Sequence, residues 1–204
     1  MVMTGYLQSF LFFEDDAKEK VLLSLRFRYE VNYEAELLLL PYITALNITV
    51  GLHIRGDDRD ECSACVIATN NFFERSIDFM RQNFHGNDDD SDDCNNNNVT
   101  FVVAKDSKLN LGGVLKNSPD IVSTEKEDPF VDMAILAGCH HMIITIGTYG
   151  WWTAWLGAHQ REGRVVTYQG DNMRWEWISN VVSPEEMYSP TWISINESDN
   201  PPSV

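Results

Sequence analysis

Apolar residues fall at helical spacing over residues 6–28, with DDAKEK on the polar side, and again over 31–40, where Pro41 disturbs the end. The period then changes. NITVGLHI, residues 47–54, is almost wholly apolar and rich in β-branched side chains, the pattern of a strand covered on both faces. NNFFERSIDFMRQN (70–83) returns to helical spacing, with Phe72, Phe73, Ile77 and Met80 on one face. Shorter segments follow: a strand at 101–106, a weak helix at 107–116 and a strand at 120–124. Residues 128–139 predict an amphipathic helix, capped by Asp128 with Pro129 at its first position. A buried strand at 141–146, a helix at 147–158 and a last strand at 164–169 complete the series. Strands alternating with helices of this length predict βαβ units and a doubly wound parallel sheet.

A helical part (1–45) thus leads into a Rossmann-like domain (46–195), with a frayed tail at 196–204. GNDDDSDDCNNNN (86–98) reads as a solvated acidic insertion; its spacing is not that of an EF-hand loop, although a calcium-binding acidic module is a conceivable minor reading. The apolar stretches 37–54 and 142–158 are interrupted by proline, asparagine, glycine and threonine, and read as core elements, not membrane spans.

Composition narrows the partners. The formal charge is -16 over 204 residues, which argues against nucleic acid as a partner, since phosphate contacts need a basic face. An anion can bind only where local donors overcome that field, so each arginine near a strand end matters. Of four cysteines, Cys62 and Cys65 form a single CxxC without a matching second pair, and read as unpaired or disulfide-linked and not as zinc ligands. His140, His141 and His159 lack carboxylates at ligand spacing and read as core or surface histidines. Three sequons, at Asn47, Asn98 and Asn196, matter only in a secretory compartment.

In open α/β sheets ligands bind beyond the carboxyl ends of the strands, and two such ends are chemically loaded. VGLHIRGDD (50–58) brings His53, Arg55, Gly56 and Asp58 to one of them; a surface Arg-Asp pair capping the strand is the competing reading. Arg55 offers a planar fork suited to phosphate. TIGTYG (145–150) is the other: a strand, a Gly-Thr turn and a helix start, whose amides and Thr148 hydroxyl suit an anion. An ordinary strand-to-helix turn would look the same by spacing. Asp132, on the preceding helix, could accept hydrogen bonds from a base.

Taken together these segments resemble one family. VGLHIRGDD is similar to the H-x-R-R-x-D segment of the galactoside α1,2-fucosyltransferases, glycosyltransferase family 11. VDMAILAGCHHMIITIGTYGWWTAWLG (131–157) resembles that family's aspartate-led helix followed by T-I-G-T-F-G and an aromatic helix. GYLQSF (5–10) and YSPTWISI (188–195) resemble its opening G-Y-x-Q/C-S and closing L-P-E-W segments, in the same order along the chain.

The resemblance implies a GT-B-type glycosyltransferase, with most of the N-terminal domain and the membrane anchor missing. It implies inverting transfer of L-fucose from GDP-β-L-fucose to O2 of a terminal β-galactose, without a metal or other cofactor, on the lumenal side of the Golgi membrane. The donor site it implies comprises His53 and Asp132 at the guanine, Arg55 at the diphosphate, and Gly147, Thr148 and Tyr149 at the turn over the phosphates. Arg55 and Asp58, the motif aspartate, are the implied catalytic pair; no general base is fixed, and Asp57 and Asp58 qualify by type alone. The chain departs from the pattern at Gly56, where the family has its second arginine, or else one arginine is deleted and Asp57 takes the aspartate's place. Thr191 stands where L-P-E-W has glutamate. A catalytically impaired or truncated member that only binds nucleotide sugar or a partner is therefore the alternative.

Overall fold

The computed structural model describes residues 9–13, 16–44, 47–54, 68–84, 98–105, 118–123, 128–161, 163–168 and 184–196. Its centre is a sheet of six parallel strands: β1 (Asn47–Ile54), β2 (Asn98–Lys105), β3 (Ile121–Ser123), β4 (His141–Ile144), β5 (Val165–Tyr168) and β6 (Ile193–Ile195). The order β3-β2-β1-β4-β5-β6 is that of a doubly wound nucleotide-binding domain, as expected for a GT-B-like half, and the winding reverses between β1 and β4.

Among the described residues the helices are α1 (Asp16–Ser24), α2 (Tyr29–Leu39), α3 (Asn70–Asn83), α4 (Pro129–Gly138), α5 (Thr148–Arg161) and α6 (Pro184–Met187). Among the described residues no helix is long and apolar enough to cross a membrane.

Side chains of β1 divide strictly between the two faces. Val50, Leu52 and Ile54 join Phe72, Ile77 and Met80 of α3, together with Phe101, Ile143 and Val166, in one core. Thr49, Gly51 and His53 fall on the other face by strand alternation. There Gly51 lets α4 approach: a Cβ on it would lie 3.1 Å from the Leu136 carbonyl oxygen and 3.2 Å from Leu136 Cδ2. A second core beneath α4 and α5 holds Leu136, Ile144, Trp151, Trp155 and Val165. Outside α4 lies α2, whose Ala35 and Leu39 share a third cluster with Val131, Ala134 and Ile135.

Three expectations are revised. The helix over 6–28 divides into a 3-10 turn (Phe10–Phe13) and α1. The division lets Phe13 sit buried against Trp152 and Trp155, with ring centroids at 5.0 and 5.6 Å, while the Ser9 hydroxyl donates to the Glu186 carbonyl at 2.6 Å. The strand at 141–146 ends at Ile144, because Thr145–Gly147 leave the ladder for the turn into α5. Residues 193–195, read only as part of a closing motif, form β6 on the sheet edge. The weak helix at 107–116 and the acidic insertion, apart from Asn98 at the start of β2, lie outside the described residues, as does the CxxC.

Candidate functional site

The site is built where the sheet's winding reverses. His53 is the penultimate residue of β1, and in register it sits between Ala104 of β2 and Ile144 of β4. It is 9% exposed, on the face covered by α4 and α5. Crevices at such reversals open beyond the strand ends because the connections on the two sides run away from each other.

Two helix N-termini converge on this edge. The Asp128 carboxylate caps α4 by accepting the Phe130 amide at 2.9 Å, and Asp132 lies in the same first turn. After β4 the chain turns at Gly147, whose φ of 132° is one that only glycine adopts without strain, and α5 begins at Thr148. The Trp151 amide donates back to the Gly147 carbonyl at 3.1 Å. Helix geometry directs the amides of Tyr149 and Gly150 out of the N-terminus, with the positive end of the helix dipole.

Tyr149 links the two ends. Its hydroxyl donates to the Pro129 carbonyl at 2.6 Å, and its ring lies 5.2 Å from that of His53, tilted by 31°. Burial, then the negative charges of Asp132 and Asp128, push its phenol well above the ordinary value. Tyr149 therefore stays protonated and remains a donor. Gly150 completes the packing: a Cβ there would lie 2.6 Å from His53 Nδ1.

The structure thus brings His53, Asp132, Gly147, Thr148 and Tyr149 to one edge. Arg55 and Asp58, with Gly56, Asp57 and Arg59, lie outside the described residues. Sequence reading missed the bracing of Tyr149 by Pro129 and the close approach of Gly150; both depend on contacts across the fold, and a lone sequence carries no signal for them.

His140, His141 and His159 are held by structural bonds away from this edge. His140 Nδ1 lies 3.1 Å from the Thr49 amide that donates to it and 2.8 Å from the Thr49 hydroxyl, ahead of β4. His141 Nδ1 accepts the Arg164 amide at 3.0 Å while its ring stacks on Phe84 at 3.8 Å. His159 Nδ1 meets the Trp155 carbonyl at 2.6 Å. Among the described residues no group of three or more His, Cys, Asp or Glu could hold a metal. Cys139 is buried, and burial pushes its thiol up to about 12, which makes it inert as a nucleophile.

Comparison with known proteins agrees with this architecture. Residues 43–196 match the model of the family described as Glycosyl transferase family 11. Over 208 residues the chain is 22% identical to the galactoside 2-alpha-L-fucosyltransferase SEC1 of Bos taurus, covering 95% of this chain and 51% of that protein. Over 77 residues it is 32% identical to the galactoside alpha-(1,2)-fucosyltransferase 1 of Saimiri sciureus, covering 38% of this chain and 20% of that protein. The chain therefore spans about half the length, or less, of these curated relatives. No solved structure matches it. The matched span contains the whole sheet and both converging helix ends, and the chain belongs to glycosyl transferase family 11.

Proposed function

We propose that this chain is the donor-binding part of a galactoside α1,2-fucosyltransferase, taking GDP-β-L-fucose as donor and a terminal β-galactoside as acceptor. The observation that carries the reading is the meeting of His53, the α4 N-terminus with Asp132, and the Gly147–Gly150 turn at the sheet's reversal point. In this reading His53 and Asp132 receive the guanine, and the α5 N-terminus receives the phosphates. Arg55 follows β1 in sequence by one residue and supplies the cation to the diphosphate.

The reaction asks little else of this half. The acceptor O2 attacks C1 of fucose from the face opposite the leaving group. The bond from C1 to the β-phosphate oxygen breaks, GDP leaves with the bonding pair, and the O2 proton passes to a base. Charge grows on the β-phosphate as the bond breaks, so a fixed cation and oriented amides stabilise the transition state more than the ground state. Asp58, and Asp57 beside it, are the carboxylates the motif offers near that chemistry. The donor requires no resident metal in this scheme, and the working place is the Golgi lumen, where such glycans are built.

Labelled fucose should pass from GDP-fucose to a β-galactoside, and Arg55→Ala should abolish transfer. Gly56 favours a second reading, a member that binds the nucleotide without turnover, since loss of one cation at a leaving group costs roughly 2–4 kcal/mol of transition-state stabilisation. Calorimetry with GDP separates them. Binding without transfer selects the second reading, and absence of both rejects the donor site itself.

A further inference from the structure

We infer that Gly150 is the positioning residue for His53: its missing side chain is the seat of the imidazole against the first turn of α5. The assignment deepens the nucleotide-site reading above and rests on it for the ligand. A Cβ at position 150 would lie 2.6 Å from His53 Nδ1, 3.2 Å from Cε1 and 3.3 Å from Cγ. Real Cβ atoms do not approach ring atoms that closely, so any side chain at 150 displaces the imidazole or the helix end.

Neither can yield cheaply. His53 is fixed by its strand, hydrogen-bonded in register between β2 and β4. The ring also meets Tyr149, which is itself anchored to the Pro129 carbonyl. The α5 end is held by Trp151, buried among Phe13, Trp152 and Trp192, with Nε1 donating to the Met187 carbonyl at 2.8 Å. The edge of the ring that carries Nδ1 faces Gly150, so Nε2 lies on the edge turned away from the helix. Gly150 thereby selects the direction in which His53 presents its second nitrogen, and that direction matters for recognition of a flat, hydrogen-bonding base such as guanine.

Position 150 is otherwise an ordinary place in the first turn of a helix, where alanine is preferred to glycine. This gives the test opposite signs in two backgrounds. Gly150→Ala should lower the melting temperature of the protein with His53 present, yet raise it slightly in His53→Ala, where the space is vacant. GDP affinity should follow the same cycle: a loss of about tenfold on Gly150→Ala with His53 in place, and less than about twofold in His53→Ala.

Equal losses in the two backgrounds, in stability or in affinity, would overturn the assignment. So would an unchanged affinity with His53 present. If Gly150→Ala does not fold, the His53→Ala/Gly150→Ala pair must fold, and its failure would likewise count against the proposal. Should the unsubstituted protein bind no GDP, the nucleotide reading falls, while the stability arm of the cycle still decides the role of Gly150.

Discussion

At the scale of single residues, the same histidine type does two jobs, and neighbours decide which. His53 ends up at the sheet's reversal point beside Tyr149, where a ligand role is proposed, whereas His141 is a structural acceptor stacked on Phe84, over which Arg164 also lies at 5.4 Å. Burial first, then the charges of His140 and Arg164, hold His141 down at about 4, against an ordinary 6.5. His140 is lowered too, by burial and by Arg161. Above pH 6.5 the ring is neutral folded or unfolded, and its contribution is flat. As pH falls from 6.5 towards 4, the unfolded chain takes up a proton that the folded chain refuses, so stability declines across that window and levels below it. Urea midpoints at about pH 7 and pH 5 should therefore differ less in His141→Gln than in the unsubstituted protein. An identical difference would assign the pH dependence to other groups.

At the scale of elements, small residues set how closely helices approach the sheet. The β-branched residues of β1 (Ile48, Thr49, Val50 and Ile54) make Gly51 look like a flaw in a good strand, and strand propensity alone would favour Gly51→Val. Packing opposes it, since Leu136 backbone and side-chain atoms already lie 3.1–3.3 Å from the missing Cβ. Gly51→Val should destabilise by about 2 kcal/mol, read from the urea midpoint. GDP affinity should fall with it, because Asp132 rides on the displaced α4. A stabilised variant would mean that α4 has room to shift. The hydrophobic pattern made β1, α3 and α4 legible within a residue or two, because each carries a full period of apolar positions. It failed for β6, three residues long, and for the 3-10 turn, whose course is set by aromatic partners more than a hundred residues away.

At the scale of the molecule, charge and topology pull against each other. A chain of -16 is proposed to hold the phosphates of a nucleotide sugar. Long-range repulsion slows encounter, while the local amides of α5 act only at contact. Raising salt from about 20 to 200 mM should therefore speed association of a fluorescent GDP analogue in stopped flow. Slowing would show that the site's own potential is already positive. Topology also joins distant segments: residues 9–13 and 184–196 meet on α5, through Ser9 with Glu186 and Trp151 with Met187 and Trp192. The helix that begins at the candidate phosphate turn is thus clamped near both ends of the described chain.

The sequence by itself determined the alternation of strands and helices, the parallel sheet, and the family, because these follow from local periodicity and from motifs read in order. It also marked His53, Asp132 and the Gly147–Tyr149 turn as chemical. Only the tertiary structure decided that these meet at the reversal between β1 and β4, that Tyr149 braces α5 against α4, and that Gly150 makes room for His53. The physical reason is range. Periodicity reports which face of an element is buried, whereas a site depends on which faces are buried against each other, and that is fixed by contacts between residues far apart in the chain.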